Sequence, residues 1–189
     1  LWEVLNSQKA IWTRNKSEIK EEEYTEFYKH LSHDYNDPLT HIHYQAEGTN
    51  EFTALLYLPK KAPFDMFMPD NQKGLQLYIN KVFISSEPEL LTPQYLRFVK
   101  GLVDAKDLPL NVSRELLQQN PRVSAIKKNI TKKVLTELEN LKKTKKEEYL
   151  SFYQEFGKVI KEGVHTDYAN KEKILDLLLF HRSNAQLQP

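Results

Sequence analysis

The sequence predicts a mixed α/β fold, in which helices cover both faces of a sheet and a small helical coil of three or more helices follows. Two observations predict it. The segment from Glu51 to Leu58 alternates with period two and is largely apolar on both faces, which indicates a strand covered on both sides. After Asn120 this alternation disappears, and apolar residues recur only at helical spacing. We therefore predict a large α/β part over residues 1–120 and a helical coil over residues 121–189.

Three further elements are expected in the α/β part. Apolar residues at helical spacing predict an amphipathic helix from Glu21 to His30. A second long strand is expected over residues 74–84, where Lys81 interrupts the apolar face. A bulge near Asn80 or Lys81 would restore the alternation. Residues 98–103 predict a third strand.

The helical coil is predicted from capping signals as well as from periodicity. A proline at the first helical position, after an asparagine that can cap, predicts a long helix over residues 121–143. Thr144 and Glu147 have the spacing of a capping box and predict the start of the next helix. Gly163 is expected to end that helix, and a final helix is expected from about Asn170.

The composition is that of an ordinary soluble globular protein, and it excludes several classes of function. Hydrophobic residues make up 40% and charged residues 28% of the 189 residues, and the net charge of +1 implies no strongly charged partner. The cysteine count of 0 excludes disulfides and thiolate metal sites, and it is compatible with a cytoplasmic location. The longest apolar run, Leu177 to Phe180, is too short to cross a membrane. A start at Leu1 without methionine and a polar end lead us to expect a piece of a longer protein.

The most informative stretch is LPLNVSRELLQQN, residues 108–120. It predicts a short loop that runs into a helix, with Asn111 or Ser113 able to cap the free amides. Arg114 then falls in the first turn, where the helix dipole disfavours a cation. Its guanidinium is therefore either held by a neighbouring acid such as Glu115 or available to an external anion, for which phosphate has the best geometry.

The sequence contains no nucleotide-binding loop of its own. The 5 glycines are widely scattered, and neither GxxxxGK nor GxGxxG occurs. If Arg114 meets a phosphate, the nucleotide must therefore be brought by another domain.

Two alternative functions are suggested by residue clusters. Basic residues on or just beyond the helix at residues 122–146 could follow a nucleic-acid backbone, although no aromatic stacking set accompanies them and nearby glutamates dilute the charge. His30 and His33 are spaced like ligands on a helical face, and His41 and His43 like ligands on a strand face. We expect the basic residues to form a solvated helix face and the histidines to bind no metal. A freestanding hydrolase that uses His41 or His43 is a further alternative. The basic set comprises Arg122, Lys127, Lys128, Lys132, Lys133, Lys142, Lys143, Lys145 and Lys146.

Residues 108–120 resemble the catalytic loop of the ninety-kilodalton heat-shock chaperone family. The stretch FDMFMPDNQKGLQLY, with a lone glycine and no long lysine run, resembles the bacterial branch. The family chain has an amino-terminal ATP-binding domain, a middle domain and a carboxy-terminal dimerisation domain, and this chain resembles the greater part of the middle domain. Further segments similar to the family occur in the same order along nearly the whole chain: IWTRNKSEI from Ile11, EEYTEFYKHLSHDYNDPL from Glu22, LLYLPKKAPFDMF from Leu55, GLQLYINKVFI from Gly74, YLRFVKGLVDAKDLPLNVSRE from Tyr95 and FYQEFGKVIKEG from Phe152.

The resemblance implies a role for the loop that we place at residues 105–118. In the family, ATP and Mg²⁺ are held by the amino-terminal domain, and an arginine of the middle domain reaches the γ-phosphate when the two domains dock. Arg114 matches that arginine, and Gln118, one helical turn later on the same face, matches its helper. The isolated segment is then expected to bind no cofactor and to hydrolyse no ATP.

The resemblance also implies a surface for unfolded client proteins. The loop at residues 62–69 carries several large apolar side chains, which either cover the sheet or stay exposed to bind partners. Trp12 and Phe83 would be core residues by default, but the family has an exposed tryptophan and phenylalanine at the matching positions, and we expect these two residues to join the surface. The intact chaperone is expected to be a homodimer in the cytoplasm, with client proteins and its own ATP-binding domain as partners and with neither nucleic acid nor membrane. The expected client-binding residues are Trp12, Phe64, Met66, Phe67 and Phe83.

Overall fold

The computed structural model describes residues 9–48, 50–63, 66, 73–109, 113–182 and 185–188. Within these ranges, the side chains of Arg114, His181, Arg182 and residues 185–188 are outside the description.

The centre of the molecule is a mixed five-stranded sheet with the order β1-β2-β5-β3-β4. The neighbours β3 and β5 run parallel, and every other neighbouring pair in this sheet is antiparallel. A separate antiparallel ribbon, β6–β7, follows near the end of the chain. The strands are β1 (Pro38–Ala46), β2 (Phe52–Pro59), β3 (Gln76–Ile79), β4 (Val82–Ser85), β5 (Lys100–Ala105), β6 (Phe180–Arg182) and β7 (Ala185–Gln188).

Helices flank the sheet and form most of the described chain between Arg114 and Leu177, before the β6–β7 ribbon. In the part of the chain that the structure describes, no helix combines the length and the apolar character that a membrane crossing requires. The α-helices are α1 (Glu21–Ser32), α2 (Arg114–Gln119), α3 (Pro121–Thr144), α4 (Lys146–Thr166) and α5 (Lys171–Leu177), and short 3-10 turns lie at Ile11–Thr13, Lys16–Glu18, Gln94–Leu96 and Tyr168–Asn170.

Both faces of the sheet are covered, as the apolar alternation of β2 predicts. All eight residues of β2 are buried. Leu55 and Tyr57 pack against α1 and Trp12, whereas Leu56 and Leu58 belong to a larger cluster with α3, α4 and α5. This larger cluster is continuous from the sheet into the helices. The predicted mixed α/β class is confirmed, and the division of the chain at residue 120 stays a prediction.

The predicted bulge in the strand at residues 74–84 is wrong, because the segment is a hairpin. Asn80 and Lys81 form a two-residue turn between β3 and β4, with φ values of 48° and 68°. Such left-handed pairs match the twist of antiparallel strands. The Lys81 amide donates to a carboxylate oxygen of Asp104 at 3.1 Å, so a residue of β5 helps to hold the turn.

Two predicted signals in the helical part are also wrong. Thr144 is the last residue of α3, and its hydroxyl donates to the Asn140 carbonyl instead of capping α4. Gly163 lies inside α4, which continues to Thr166. The ring of Tyr95 packs on Gly163, where an added Cβ would lie 2.8 Å from the ring atom Cδ2. This glycine therefore serves close packing between elements, while the predicted start of α3 at Pro121 is confirmed.

Candidate functional site

The helix α2 is attached to the core through few side chains. Among its described side chains, Leu117 is buried at 3% exposure, whereas Leu116 is 59% exposed and Gln118 is also exposed. The helix has only six residues, and the Leu117 amide closes its first turn by donating to the Ser113 carbonyl at 3.1 Å. A short helix with one buried anchor has little packing energy to hold it in place. Its polar face is therefore presented to solvent.

Arg114 occupies the first position of α2. Ser113 is the cap residue, but its side chain makes no capping hydrogen bond, and Asn111 lies outside the described residues. The Arg114 side chain is likewise outside the description, so the choice between a neighbouring acid and an external anion stays open. The helical backbone places positions 114 and 118 one turn apart on the same face.

Gln118 has a described partner on another element. Its amide nitrogen Nε2 donates to the Oε2 atom of Glu87 at 3.3 Å. Glu87 lies in the loop that follows β4, far from α2 in sequence. A cleft of about 460 Å³ adjoins this contact, lined by Gln118, by the loop after β4 and by the first two turns of α3. The structure thus brings Gln118 into contact with the carboxylate of Glu87, which the sequence pattern does not indicate.

The predicted client surface is only partly exposed. Phe83 is 52% exposed, and its neighbour Val82 is 51% exposed on the edge strand β4. Trp12, by contrast, is only 9% exposed, which corresponds to the alternative in which it is a core residue, and its part in a client surface stays a prediction. The two aromatic residues are nevertheless brought together, because Tyr78 contacts Trp12 at 5.3 Å and Phe83 at 5.6 Å between ring centroids.

The apolar loop at residues 62–69 is described only in part. Met66 is 5% exposed and belongs to the main core cluster, which corresponds to the alternative in which the loop covers the sheet. Phe64 and Phe67 lie outside the described residues. The contribution of these two phenylalanines to a client surface therefore stays a prediction.

Trp12 is fixed by a buried carboxylate. Its indole nitrogen Nε1 donates to Oδ2 of Asp104 at 2.9 Å, and Asp104 is 7% exposed. The other carboxylate oxygen accepts from the Lys81 amide in the β3–β4 turn. A buried carboxylate is stabilised when both oxygens accept hydrogen bonds. Asp104 thus connects the segment before α1 to the hairpin that carries Phe83.

The histidines of β1 are engaged with protein groups. The Nε2 atom of His43 lies 3.2 Å from the Trp12 carbonyl oxygen, so it must donate, and Nδ1 can then accept from the Tyr24 hydroxyl at 2.8 Å. His41 stacks on the Tyr24 ring with centroids 3.9 Å apart. Burial lowers the pKa of both histidines below the ordinary value of 6.5. Neutral, partnered imidazoles of this kind are typical of a packed interior.

The other two histidines of the sequence analysis lie at the end of α1. His30 is exposed, and His33 ends the helix in a left-handed conformation with φ 56°. Within the described ranges, no cluster of three or more histidine, aspartate or glutamate side chains is arranged to hold a metal ion.

Much of the basic set is occupied by contacts within the protein. The Lys127 ammonium donates to the Glu89 carbonyl at 2.5 Å, and burial lowers the pKa of this half-buried lysine. Lys133 lies 4.5 Å above the Tyr44 ring. Lysines that contact carbonyls, rings and carboxylates in this way are less available to phosphates, so no observation favours the nucleic-acid alternative. Three further contacts are Lys142 to the Asp176 carbonyl, Lys143 to Glu139 and Lys145 to Glu148.

Sequence reasoning missed three residues that the structure brings to attention. Glu87 and Asp104 act through contacts with residues far away along the chain, so no local pattern indicates them. Tyr35, which follows α1, is 93% exposed. Its position between polar residues at the end of a helix gave no reason to separate it from an ordinary turn residue.

The comparisons with known proteins agree with this architecture. The model of the Hsp90 protein family matches residues 1–188. The chain is 60% identical over 178 residues to the chaperone protein HtpG of Geobacter sulfurreducens, which covers 94% of this chain and 27% of that protein. It is 57% identical over 184 residues to the HtpG protein of Geobacter metallireducens, covering 97% of this chain and 28% of that protein. Among solved structures, the middle domain of a Plasmodium falciparum heat shock protein matches with a TM-score of 0.84 at 29% identity, covering 95% of this chain and 71% of that one.

The fold is that of a chaperone middle domain. The chain belongs to the Hsp90 family, and its similarity to HtpG proteins confirms the expected bacterial branch. It spans only a little over a quarter of the length of these relatives, 27% and 28% respectively.

Proposed function

We propose that this chain is the middle-domain segment of an ATP-dependent chaperone, in which Arg114 reaches the γ-phosphate of ATP held by the amino-terminal domain. The observation that carries the proposal is the family match over residues 1–188, which includes the α2 segment with Arg114 and Gln118 on one face. ATP and Mg²⁺ would be bound by the intact protein. A cytoplasmic homodimer is part of the same proposal.

The chemistry required of Arg114 is electrostatic. Negative charge on the transferring phosphoryl group has to be offset, and a guanidinium offers a planar fork of donors that never loses its charge at physiological pH. An arginine delivered from another domain acts only when that domain docks, so hydrolysis is tied to the conformation of the whole chaperone. The exposed polar face of α2 and its one buried anchor among the described side chains support this role, because an outward movement of the helix would expose little apolar surface besides Leu117.

Gln118 would assist from one turn further along the helix. An amide can donate to a phosphate oxygen or orient a water, and the exposed position of Gln118 leaves it within reach of a docked partner. Its neighbour Gln119 is also exposed but lies on a different face of α2. The two glutamines therefore form a matched pair for experiment.

The decisive experiment replaces Arg114 in an intact chaperone that carries this segment. We expect Arg114→Ala to lower ATP turnover by about ten- to a hundredfold, the worth of a charge-assisted contact made in the transition state. Nucleotide affinity should change little, because the nucleotide pocket lies in another domain. Arg114→Lys, which keeps the charge but loses the fork, should recover only part of the rate.

Controls come from the same helix. Gln118→Ala should lower turnover by a smaller factor than Arg114→Ala, whereas Gln119→Ala should leave it unchanged. Turnover that survives Arg114→Ala at the original rate would remove Arg114 from the mechanism.

We further propose that unfolded clients contact the exposed part of the aromatic group formed by Trp12, Tyr78 and Phe83. The support is the exposure of Phe83 and Val82 on an edge strand, together with the aromatic contacts that fix Phe83 against Tyr78. Exposed apolar side chains on a rigid support can bury area against a partner without first losing much conformational freedom. In this proposal Trp12 supports Phe83 through Tyr78, and Met66 contributes only if it leaves the core. Phe64 and Phe67 remain part of the proposed client surface.

Client binding can be tested with an unfolded protein and fluorescence anisotropy. Phe83→Ala should weaken binding by about three- to thirtyfold, in line with the loss of one partly buried aromatic anchor. Tyr168→Ala is the matched control, because Tyr168 is 79% exposed but lies in a 3-10 turn after α4. Binding driven by apolar burial should also depend weakly on salt, whereas steep salt dependence would point to the basic helix instead.

A further inference from the structure

A cleft of about 680 Å³ opens where β2 ends, between the C-terminal end of α1 and the first residue of β5. We call it the basic cleft, because the described residues that line it carry an unequal set of charges. Asp34 is the carboxylate among them, whereas the permanent cations are Lys61, Lys73, Arg97 and Lys100. An excess of positive charge in a concave site indicates an anionic ligand.

Two of these charged groups are bound within the protein. The Asp34 carboxylate accepts from the Tyr28 hydroxyl at 2.7 Å and from the Asn36 amide at 3.0 Å. The two terminal nitrogens of the Arg97 guanidinium donate to the two carboxylate oxygens of Glu162 at 2.6 and 2.9 Å. The arginine is therefore part of the wall, and the capacity to bind an anion depends on the lysines.

Lys61 and Lys73 are exposed, and among the described residues neither side chain has a hydrogen-bond or ion-pair partner. The backbone beside each of them is nevertheless fixed. The Ala62 amide, next to Lys61, donates to the Glu155 carboxylate of α4 at 3.0 Å. The Gly74 amide, next to Lys73, donates to a carbonyl of the loop after β4 at 2.9 Å. Two ammonium groups are thus carried into one cleft from fixed backbone positions.

The basic cleft also has an apolar lining. Pro59 and Met66 are buried there, and Pro63 is half-buried. Tyr28, the aromatic residue in the described lining, is only 1% exposed, so its ring is not presented for stacking with a nucleic-acid base. The arginine fork that would suit a phosphate is occupied by Glu162. Carboxylates on a chain that also carries apolar side chains match this combination better than phosphates do.

We propose that the basic cleft binds an acidic, extended segment of another polypeptide, whose carboxylates pair with Lys61 and Lys73 while its apolar side chains contact the prolines. Exposed ion pairs are individually weak, so binding depends on several pairs together with the apolar contact. The site requires neither Arg114 nor Phe83, and the inference therefore goes beyond the proposed function. A chaperone with this cleft distinguishes acidic segments from neutral ones.

The test measures the binding of a short fluorescein-labelled peptide, in which glutamate and leucine alternate, to an intact chaperone that carries this chain. Fluorescence anisotropy gives the Kd. Lys61→Glu and Lys73→Glu should each weaken binding by about three- to tenfold, and the double variant by about ten- to a hundredfold, because each change replaces an attraction by a repulsion. Added NaCl should weaken binding to the unaltered protein. A double variant that binds the peptide with the original Kd would overturn the proposal.

Lys158→Glu is the matched control. Lys158 is exposed on α4 and lies outside the described lining of the basic cleft, so the variant makes the same change in net charge at another place. It should leave the Kd unchanged, and a loss equal to that of Lys61→Glu would indicate attraction by the overall charge and contradict a local site. Phe83→Ala should also leave the Kd unchanged. Loss of binding in Phe83→Ala without loss in the lysine variants would assign the peptide to the client surface instead.

Two further probes define the ligand. A peptide with glutamine in place of glutamate should bind at least about tenfold more weakly, because it offers no charge to the lysines. Equal affinity for the two peptides would remove the acidic requirement. A single-stranded oligothymidylate of the same length should bind more weakly than the acidic peptide. Binding of the oligonucleotide that is as tight, and as sensitive to Lys61→Glu, would assign the basic cleft to nucleic acid and overturn the proposal.

Discussion

On one face of the sheet, α1 and the Trp12 segment pack through aromatic rings, histidines and a buried carboxylate, whereas α3 and α4 cover the other face mainly through aliphatic side chains and phenylalanines. The first face is specified by hydrogen bonds with defined partners, such as Trp12 to Asp104 and Tyr24 to His43. The second face is stabilised by area removed from water and by close packing. The difference teaches that one sheet can carry a large apolar core on one side and, on the other, a smaller cluster that depends on particular hydrogen bonds.

The largest effect is expected on the α3–α4 face. Phe156 is fully buried, with its ring centroid 4.9 Å from that of Phe98 and 4.7 Å from that of Phe152. Phe156→Ala should lower the free energy of unfolding by about 3–5 kcal/mol, because it leaves a cavity in a packed core. Urea denaturation measures the change.

Two further variants sharpen this prediction. Phe156→Leu fills most of the cavity and should cost less than Phe156→Ala. Leu175→Ala, at a position that is 42% exposed on α5, should change stability by less than about 0.5 kcal/mol. Equal losses from Leu175→Ala and Phe156→Ala would show that packing is not what distinguishes this face.

An intermediate effect is expected on the α1 face at Asp104. Asp104→Ala leaves the indole donor of Trp12 and the amide of Lys81 without their acceptor, which should cost about 1–3 kcal/mol of unfolding free energy. Asp104→Asn retains one acceptor oxygen and should cost less. Trp12→Phe keeps an aromatic ring but removes the donor.

A double-mutant cycle of Asp104→Ala and Trp12→Phe isolates the hydrogen bond, since the two losses should not add. Full additivity would mean that the contact contributes nothing to the stability of this face.

The smallest effect is expected from pH, and again on the α1 face. Burial lowers the pKa of His41 and His43 in the folded state, so the unfolded chain binds more protons below its own pKa of about 6.5. Stability should therefore decrease as the pH falls from about 7.5 to about 5.5 across that value. The nearby charges act in opposite directions on the two rings. The Glu21 carboxylate raises the pKa of His41, whereas the Lys16 ammonium lowers the pKa of His43.

Thermal midpoints measured across this pH range would test the histidine contribution. Replacing both His41 and His43 by glutamine should flatten the decrease. A decrease of the same slope in that variant would assign the pH dependence to other groups.

Local sequence predicted much of the architecture. The start of α3 at Pro121 is a local event, because a capping asparagine and a proline at the first position are sufficient to begin a helix. The burial of β2 on both faces follows from its own run of apolar residues. The family resemblance of residues 108–120 likewise depends on the order of the side chains alone, and it implies the roles of Arg114 and Gln118 without any knowledge of tertiary contacts.

Contacts between distant segments determined what the sequence alone could not. Nothing near Gly163 in the sequence distinguishes a glycine that ends a helix from one that makes room for a neighbour, and here the neighbour is the distant Tyr95 ring. The turn at Asn80 and Lys81 depends on Asp104, which is on another strand. Glu87 gains its meaning only when folding brings it to Gln118. The sequence by itself thus determined where most helices and strands form and which family the chain resembles, since these depend on neighbouring residues. The tertiary structure decided which side chains are buried, hydrogen-bonded or exposed, since these depend on residues that are distant in the chain but close in space.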